Sequence, residues 1–453
     1  MRIPARMPTY NPGFPLARPM KIHLTTLGCR LNEAELETWT REFAARGHSI
    51  CTEGEAADLI VVNTCAVTEE AVRKSRQLLR RIHRANPTAR LVVSGCYASL
   101  DPAGPVALPG VDLIVANQDK SRLVEIAGEH FGLPLMPDLA IESDAHLLLA
   151  RGRQRAFIKV QDGCRYQCSF CIVTQARGTE RSRPLAEIID EINAYQREGI
   201  QEVVLTGVHL GGYGGETGSD IGDLVREVLR STEIPRIRLG SLEPWDLPEG
   251  FWSLFASPRL MPHLHLPLQS GADSVLRRMA RRCKTGEYRH LLQAGRAAVP
   301  DLNVTTDIIV GFPGETDDEW RQTLAFIEDC GFGQSHIFSF SPRTGTKAAG
   351  LPGQVPELVK RKRAQELADL AHRLRQETLA PYVGRCFPVL IEGRLAGSET
   401  RWPGYTPNFL RVELAADTQA DLCNHVLRVE ISRANENGTL AGYLPSPVAG
   451  RGE

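Results

Sequence analysis

The chain has 453 residues, with 53 Lys and Arg against 54 Asp and Glu, and a net charge of −1. That length exceeds one ordinary hydrophobic core, so two or three domains are expected. A hydrophobic share of 42%, a charged share of 24% and no apolar run of bilayer length exclude a helical membrane protein, and the even charge balance by itself gives no case for nucleic acid.

Residues 1–19 are rich in Pro and Arg but lack the apolar middle of a signal peptide. They read as a disordered extension or an over-called start, because "MKIHLTTLG" from Met20 looks like the natural opening strand. Eleven cysteines without an export signal point to a reducing, cytoplasmic setting, where clustered cysteines hold metal more often than they form disulfides.

Residues 20–133 alternate strand-like and helical segments. "KIHLTTLG" leads to a helix in "EAELETWTREFAARG", with Gly47 suited to its C-terminal cap. "DLIVVN", a basic helix from Thr68, "RLVVSG" and "VDLIVAN" follow. Short apolar runs separated by helices predict a small parallel α/β sheet. The segment "LPLMPDLAIESDAHLLLARGRQR" breaks the rhythm as a linker.

A second α/β series occupies residues 150–380. Its predicted strands are "AFIKVQ", "EVVLTG", "RIRLGS", "HLHLPLQ", "NVTTDIIVGF" and "QSHIFSFS", with helices between them, one carrying Pro184 near its first turn. Six strand–helix units predict a partial (β/α)6 barrel of TIM-like form rather than a closed eight-fold one. From 381 to 446 the texture changes to alternating runs, "CFPVLIEGR", "NFLRVELA" and "NHVLRVEIS", which predict a small antiparallel β-barrel. Basic runs begin at Arg73, Arg151, Arg277 and Lys360, and each taken singly reads first as a solvated helix face.

Two sets of three cysteines carry the chemistry. "QDGCRYQCSFC" places Cys164, Cys168 and Cys171 within eight positions after a predicted strand. Three thiolates can hold three irons of a four-iron, four-sulfur cube and leave the fourth iron open, as a catalytic site does. A zinc site completed by a distant His or Cys is the alternative. Cys29, Cys65 and Cys96 each follow a strand of the first sheet. Loops after the carboxyl ends of parallel strands share one edge, so these three should converge; otherwise they are unrelated buried thiols. Cys51, Cys283, Cys330, Cys386 and Cys423 are scattered and read as ordinary thiols.

The loop "QDGCRYQCSFC" resembles that of the radical S-adenosylmethionine (SAM) enzymes. The ordered motifs "TLGCRLNEAE", "VVNTCAVT", "SGCYA", "LHLPLQSG" and "TDIIVGFPGET" resemble their methylthiotransferase branch over nearly the whole chain after Met20. The resemblance implies two 4Fe–4S clusters: Cys164, Cys168 and Cys171 would hold the radical one, and Cys29, Cys65 and Cys96 an auxiliary one bearing the sulfur to be transferred. It also implies S-adenosylmethionine, cleaved reductively to a 5′-deoxyadenosyl radical, and an electron donor such as flavodoxin or ferredoxin. It places Thr206, Gly207, His265, Gln269, Asp307 and Gly311 around the bound cofactor.

The C-terminal barrel would then be a TRAM domain, and the partner a tRNA anticodon stem-loop. Arg177, Arg181 and Arg183 carry paired N–H donors that suit phosphate or carboxylate, the alternative being a solvated face. Trp402, Tyr405 and Phe409 would stack on splayed bases unless Phe409 fills the barrel core. "NTCAVTEEA", "LTGVHLGGYG" and "GYTPNFLRVE" lean toward the subgroup that converts N6-threonylcarbamoyladenosine at tRNA position 37 to its 2-methylthio form. A sister group acting on isopentenyladenosine more usually has Gln-Asn where this chain has Val208-His209, and a third modifies a ribosomal protein. The chain departs from the family pattern at Thr174-Gln175 and at Cys283. A non-catalytic, zinc-containing RNA-binding protein is the alternative from another class.

Overall fold

The computed structural model describes residues 19–133 and 154–445. The predicted extension up to residue 18, the linker over 134–153 and the tail from 446 lie outside them. No helix among the described residues is long and apolar enough to cross a membrane.

The first unit is a five-stranded parallel sheet in the order β2-β1-β3-β4-β5. Its strands are β1 (Lys21–Thr26), β2 (Ser49–Ile50), β3 (Leu59–Thr64), β4 (Arg90–Gly95) and β5 (Leu113–Val115). The central strand β3 is buried along its whole length, which explains its unbroken apolar run. Helices α1 (Arg30–Ala45), α2 (Glu69–Ala85) and α3 (Cys96–Leu100) follow β1, β3 and β4. Gly47 adopts φ +81° just past α1, as expected of a C-terminal cap.

The second unit is built from β6 (Arg155–Lys159), β9 (Glu202–Thr206), β10 (Arg236–Leu239), β11 (His263–His265), β12 (Asn303–Val310) and β13 (Gln334–Ser339). Between β6 and β9 lies a short hairpin of β7 (Gln161–Asp162) and β8 (Arg181–Ser182). Two parallel three-stranded sheets, β10-β9-β6 and β11-β12-β13, are joined by the parallel bridges Ile237↔Leu260 and Ser241↔His265. All six predicted strands form, and the result is an open arc of partial-barrel form.

Alternation along these strands separates two faces. Ala156, Ile158, Val203, Leu205, Ile237, Leu264, Val304 and Ile308 pack outward into the core beneath the surrounding helices. Phe157 and Val204 face the other way and pack with Ala34 of α1. Helix α1 of the first unit therefore lies over the inner face of β6 and β9, and the Phe157 N–H donates to Glu37 at 3.0 Å.

After the long helix Glu357–Leu379 comes a closed barrel of β14 (Cys386–Ile391), β15 (Arg401–Tyr405), β16 (Arg411–Ala415), β17 (Val426–Ala434) and β18 (Leu440–Tyr443), ordered β14-β15-β16-β18-β17. Its pairings are antiparallel except β16–β18, which is parallel. An odd number of strands cannot alternate direction all the way round a closed ring, so the wholly antiparallel expectation is corrected at this one pairing. The basic run at Lys360–Arg363 is half internal: Lys360 donates to the Phe340 carbonyl and Arg363 pairs with Glu315, both in buried positions.

Candidate functional site

Cys29, Cys65 and Cys96 occupy equivalent places. Cys29 is the N-cap of α1 after β1, Cys65 directly follows β3, and Cys96 opens α3 directly after β4. Since β1, β3 and β4 are adjacent, the three loops share one sheet edge. Gly95 makes this approach possible: at φ +105° it lies so close to Thr64 that any Cβ would strike that residue's backbone. Burial, followed by repulsion from Cys96 and Cys29, pushes the Cys65 thiol up to about 11 even though the backbone N–H groups of Ala66 and Val67 favour its ionised form. The Asn117 amide points at the Cys96 sulfur at 3.8 Å, and the Cys29 thiol at the Asn32 side chain at 3.7 Å.

Cys164, Cys168 and Cys171 sit on the loop between β7 and the short helix Val173–Arg177. Gly163 enters it at φ +72° against the Thr179 carbonyl, where a side chain would collide. Ser169 anchors the loop by donating from its N–H to Met279 O and from its hydroxyl to Arg278 O. Burial, then the neighbouring thiols Cys168 and Cys164, push the Cys171 thiol up to about 12. Burial also raises Cys168, opposed by Arg281, whose guanidinium lies 3.9 Å from the sulfur while bonding Glu243 and the Pro267 carbonyl.

The donor chemistry of both sets fits iron–sulfur ligation. All six thiols are free, and N–H groups already aim at their sulfurs, as at Cys164, which accepts from the Tyr166 N–H at 3.4 Å. A single zinc held at ~2.3 Å would need its sulfurs ~3.8 Å apart. Among the described residues, one group of three or more His, Cys, Asp or Glu has ligand atoms all within 4.8 Å, namely His265, Asp307 and His336. Neither cysteine set belongs to that group.

A buried ionic hub joins the two sets. Glu35, nearly two turns along α1 from Cys29, accepts from Arg177 Nη1 at 2.9 Å and from Lys120 Nζ at 2.5 Å. Arg177 also reaches Asp162 at 3.1 Å and Asn32 at 2.9 Å. Glu35, Lys120 and Arg177 are each only 2% exposed at the side chain. Burial works against ionised Glu35, but Arg177, Lys120 and Lys159 outweigh it and hold the carboxyl well below its ordinary value. The hub touches residues flanking both sets, Asn32 beside Cys29 and Asp162 just before Cys164.

A second network flanks the 164–171 loop. His209 lies between Glu180 at 2.5 Å and Asp246 at 2.6 Å, and Asp246 also accepts from the Tyr166 hydroxyl at 2.7 Å. Burial would lower the imidazole pKa, but hydrogen bonds and charge from Asp246 and Glu180 more than reverse it and raise it above its ordinary value.

The other predicted residues divide. His265 and Asp307 come together at 3.3 Å, and the Gln269 N–H donates to the Asp307 carbonyl from a positive φ of 78°. Thr206 ends β9, and Gly207 packs on Gln161. The Gly311 N–H donates to the Glu315 carboxylate at 2.8 Å. Arg177 is corrected outright: its guanidinium is spent in the hub, not offered to phosphate. Arg181 stays half exposed, while Arg183 binds Glu191 and the Lys159 carbonyl.

Trp402 is also corrected. It is 1% exposed in the core of the closed barrel and cannot stack on a base. Tyr405 and Phe409 stack on each other at 4.6 Å, with Arg155 over both rings and Arg238 over Phe409. They dock the barrel onto the second unit, because Arg236 and Arg238 bind carbonyls of Thr406 and Pro407.

Sequence reading missed Glu35, Asn32, Asn117, Arg281 and His336. Glu35 and Asn32 lie within the quoted motif "TLGCRLNEAE", and Arg281 within the basic run from Arg277, so the signal was present without its partners.

Residues 21–116 match the profile described as Uncharacterized protein family UPF0004, and residues 158–327 that of the Radical SAM superfamily. The chain is 35% identical over 421 residues to the threonylcarbamoyladenosine tRNA methylthiotransferase MtaB of Bacillus subtilis, covering 90% of this chain and 93% of that one. It is 36% identical over 446 residues to the tRNA-2-methylthio-N(6)-dimethylallyladenosine synthase of Anaeromyxobacter dehalogenans, covering 95% of each. In structure it is similar to the radical SAM methyltransferase TsrM of Kitasatospora setae, with a TM-score of 0.56, 16% identity, and 73% and 77% of the two chains covered.

Proposed function

Because the chain belongs to the radical SAM tRNA methylthiotransferase family, we propose that it installs the 2-methylthio group on N6-threonylcarbamoyladenosine 37 of tRNA. The observation that carries this reading is the pair of three-thiol loops tied to one another through Glu35 and Arg177.

When bound, the cluster at Cys164, Cys168 and Cys171 supplies the electron that cleaves S-adenosylmethionine, and the one at Cys29, Cys65 and Cys96 supplies sulfur. The protein's own task is placement. Arg281 stabilises negative charge on Cys168, and the hub fixes the spacing of the two loops. Thr206, Gly207 and Gln269 flank the cofactor, and α1 over Phe157 and Val204 keeps water from that side. A flavodoxin or ferredoxin would deliver the electrons. Arg181, half exposed, would meet an RNA phosphate, whereas Arg183 is held by Glu191 and the Lys159 carbonyl.

The threonylcarbamoyl group carries a carboxylate, a hydroxyl and amides, whereas the dimethylallyl group is wholly apolar. The inner face of β11–β13 presents His265, Asp307 and His336, with Thr305 hydrogen-bonded to His265 at 2.9 Å. That polar lining supports the threonylcarbamoyl substrate. Nucleoside mass spectrometry of tRNA from a strain lacking the gene should show loss of 2-methylthio-threonylcarbamoyladenosine with its unthiolated precursor retained. Loss of the isopentenyl derivative instead would transfer the activity to that nucleoside.

A further inference from the structure

A cavity lies outside the arc of strands. It is a groove of about 650 Å³ between α2 and the segment around Arg343, and Ile172, Ala66 and Tyr97 contribute to its wall. Each of these three directly follows a cysteine assigned above, respectively Cys171, Cys65 and Cys96. The groove thus runs past the loops of both sets.

Its charge is uneven. Four arginines, Arg73, Arg76, Arg80 and Arg343, line it against two carboxylates, Glu69 and Asp101. Arg73 is spent on Glu70 through two bonds, and Arg76 on Tyr97 and Asp101. Arg80 and Arg343 have no side-chain partner among the described residues, and the Arg343 Nε is buried without one. Arg80 is exposed and Arg343 only partly buried, and the forked Nη donors of each suit a phosphate oxygen. Val72, Leu100 and Ile172 supply apolar wall between the charges.

We propose that this groove binds the sugar–phosphate backbone of the substrate RNA, with Arg80 and Arg343 each holding a phosphate and thereby guiding the modified nucleotide to the mouth between the cysteine loops. This rests on the tRNA reading above. The basic run from Arg73, read first as a solvated helix face, becomes one wall of a binding site. A concave groove fits a single backbone strand better than the convex surface of an acidic electron-transfer protein.

The test is fluorescence anisotropy of the cluster-loaded full chain with a labelled synthetic anticodon stem-loop, repeated over a range of salt. Two lost phosphate contacts should lower the log–log salt slope by roughly 1.4–1.8 and weaken binding about 15- to 30-fold near ~0.15 M salt in the R80A/R343A variant. R80A alone, on an exposed helix face, should show about half the slope change, which guards against a folding defect at Arg343. Iron content and S-adenosylmethionine affinity should be unchanged. Equal slopes and affinities in wild type and variants would overturn the proposal while leaving tRNA binding intact. Failure of the wild type to bind the stem-loop would instead remove the tRNA reading beneath it. Slower reduction by flavodoxin with unaltered RNA affinity would assign the groove to a protein and overturn the proposal equally.

Discussion

Anaerobically purified Cys168→Ala protein is expected to form no detectable 2-methylthio nucleoside on substrate tRNA. Cys168 is the middle thiol of the loop held by Ser169, and the one that Arg281 approaches at 3.9 Å. Alanine leaves two thiolates, too few to keep a four-iron cube seated with one open corner. The rest of the fold should tolerate the change, because Cys168 is only partly buried and its neighbours are anchored through backbone groups. The check is mass spectrometry of digested tRNA after anaerobic turnover, with binding of an RNA stem-loop as the control for folding. Product formation near the wild-type level would remove Cys168 from the site.

Arg177→Met is expected to be the most damaging change outside the cysteines. It strips the forked cation from Glu35, Asp162 and Asn32 at once, in surroundings where the guanidinium is 2% exposed. Breaking one side of a buried pair costs about 3–5 kcal/mol. Lys120 and Lys159 remain beside Glu35 and should hold the loss near the lower end. Arg177→Lys should rescue little, since a single ammonium cannot reproduce the fork. The E35Q/R177M double variant should be less impaired than the two single losses together, by ~1–3 kcal/mol of coupling. Urea midpoints measured anaerobically give these differences, and an unchanged midpoint for R177M would contradict the hub. The pH dependence has a definite sign. Glu35 is depressed in the fold, so its contribution is fully present above the unfolded value of about 4.3 and is lost as pH falls through the lower folded value. E35Q should therefore flatten the acid limb of the wild-type stability curve.

Much of the architecture was legible because hydrophobic period and cysteine placement are local signals. All six strands of the partial barrel and the convergence of Cys29, Cys65 and Cys96 follow from where apolar runs end. What escaped was partnership across long stretches of chain. Arg177 follows the cysteine loop closely and looks like a phosphate ligand until Glu35, distant in sequence, is seen beside it. Trp402 and Phe409 sit among basic and turn residues, as RNA-stacking residues do. Closure of the five-stranded barrel takes the first into its core, and docking against Arg155 and Arg238 takes the second. His336 reads as one alternating residue in a strand; parallel pairing sets it opposite Asp307 and near His265.

The measurement that bears most directly on the paired-cluster reading is iron and sulfide per chain after oxygen-free reconstitution. About eight irons in the wild type, falling to about four in Cys65→Ala and again to about four in Cys168→Ala, is the predicted result. About four in the wild type, with Cys65→Ala unchanged, would show that Cys29, Cys65 and Cys96 hold no cluster and would contradict it.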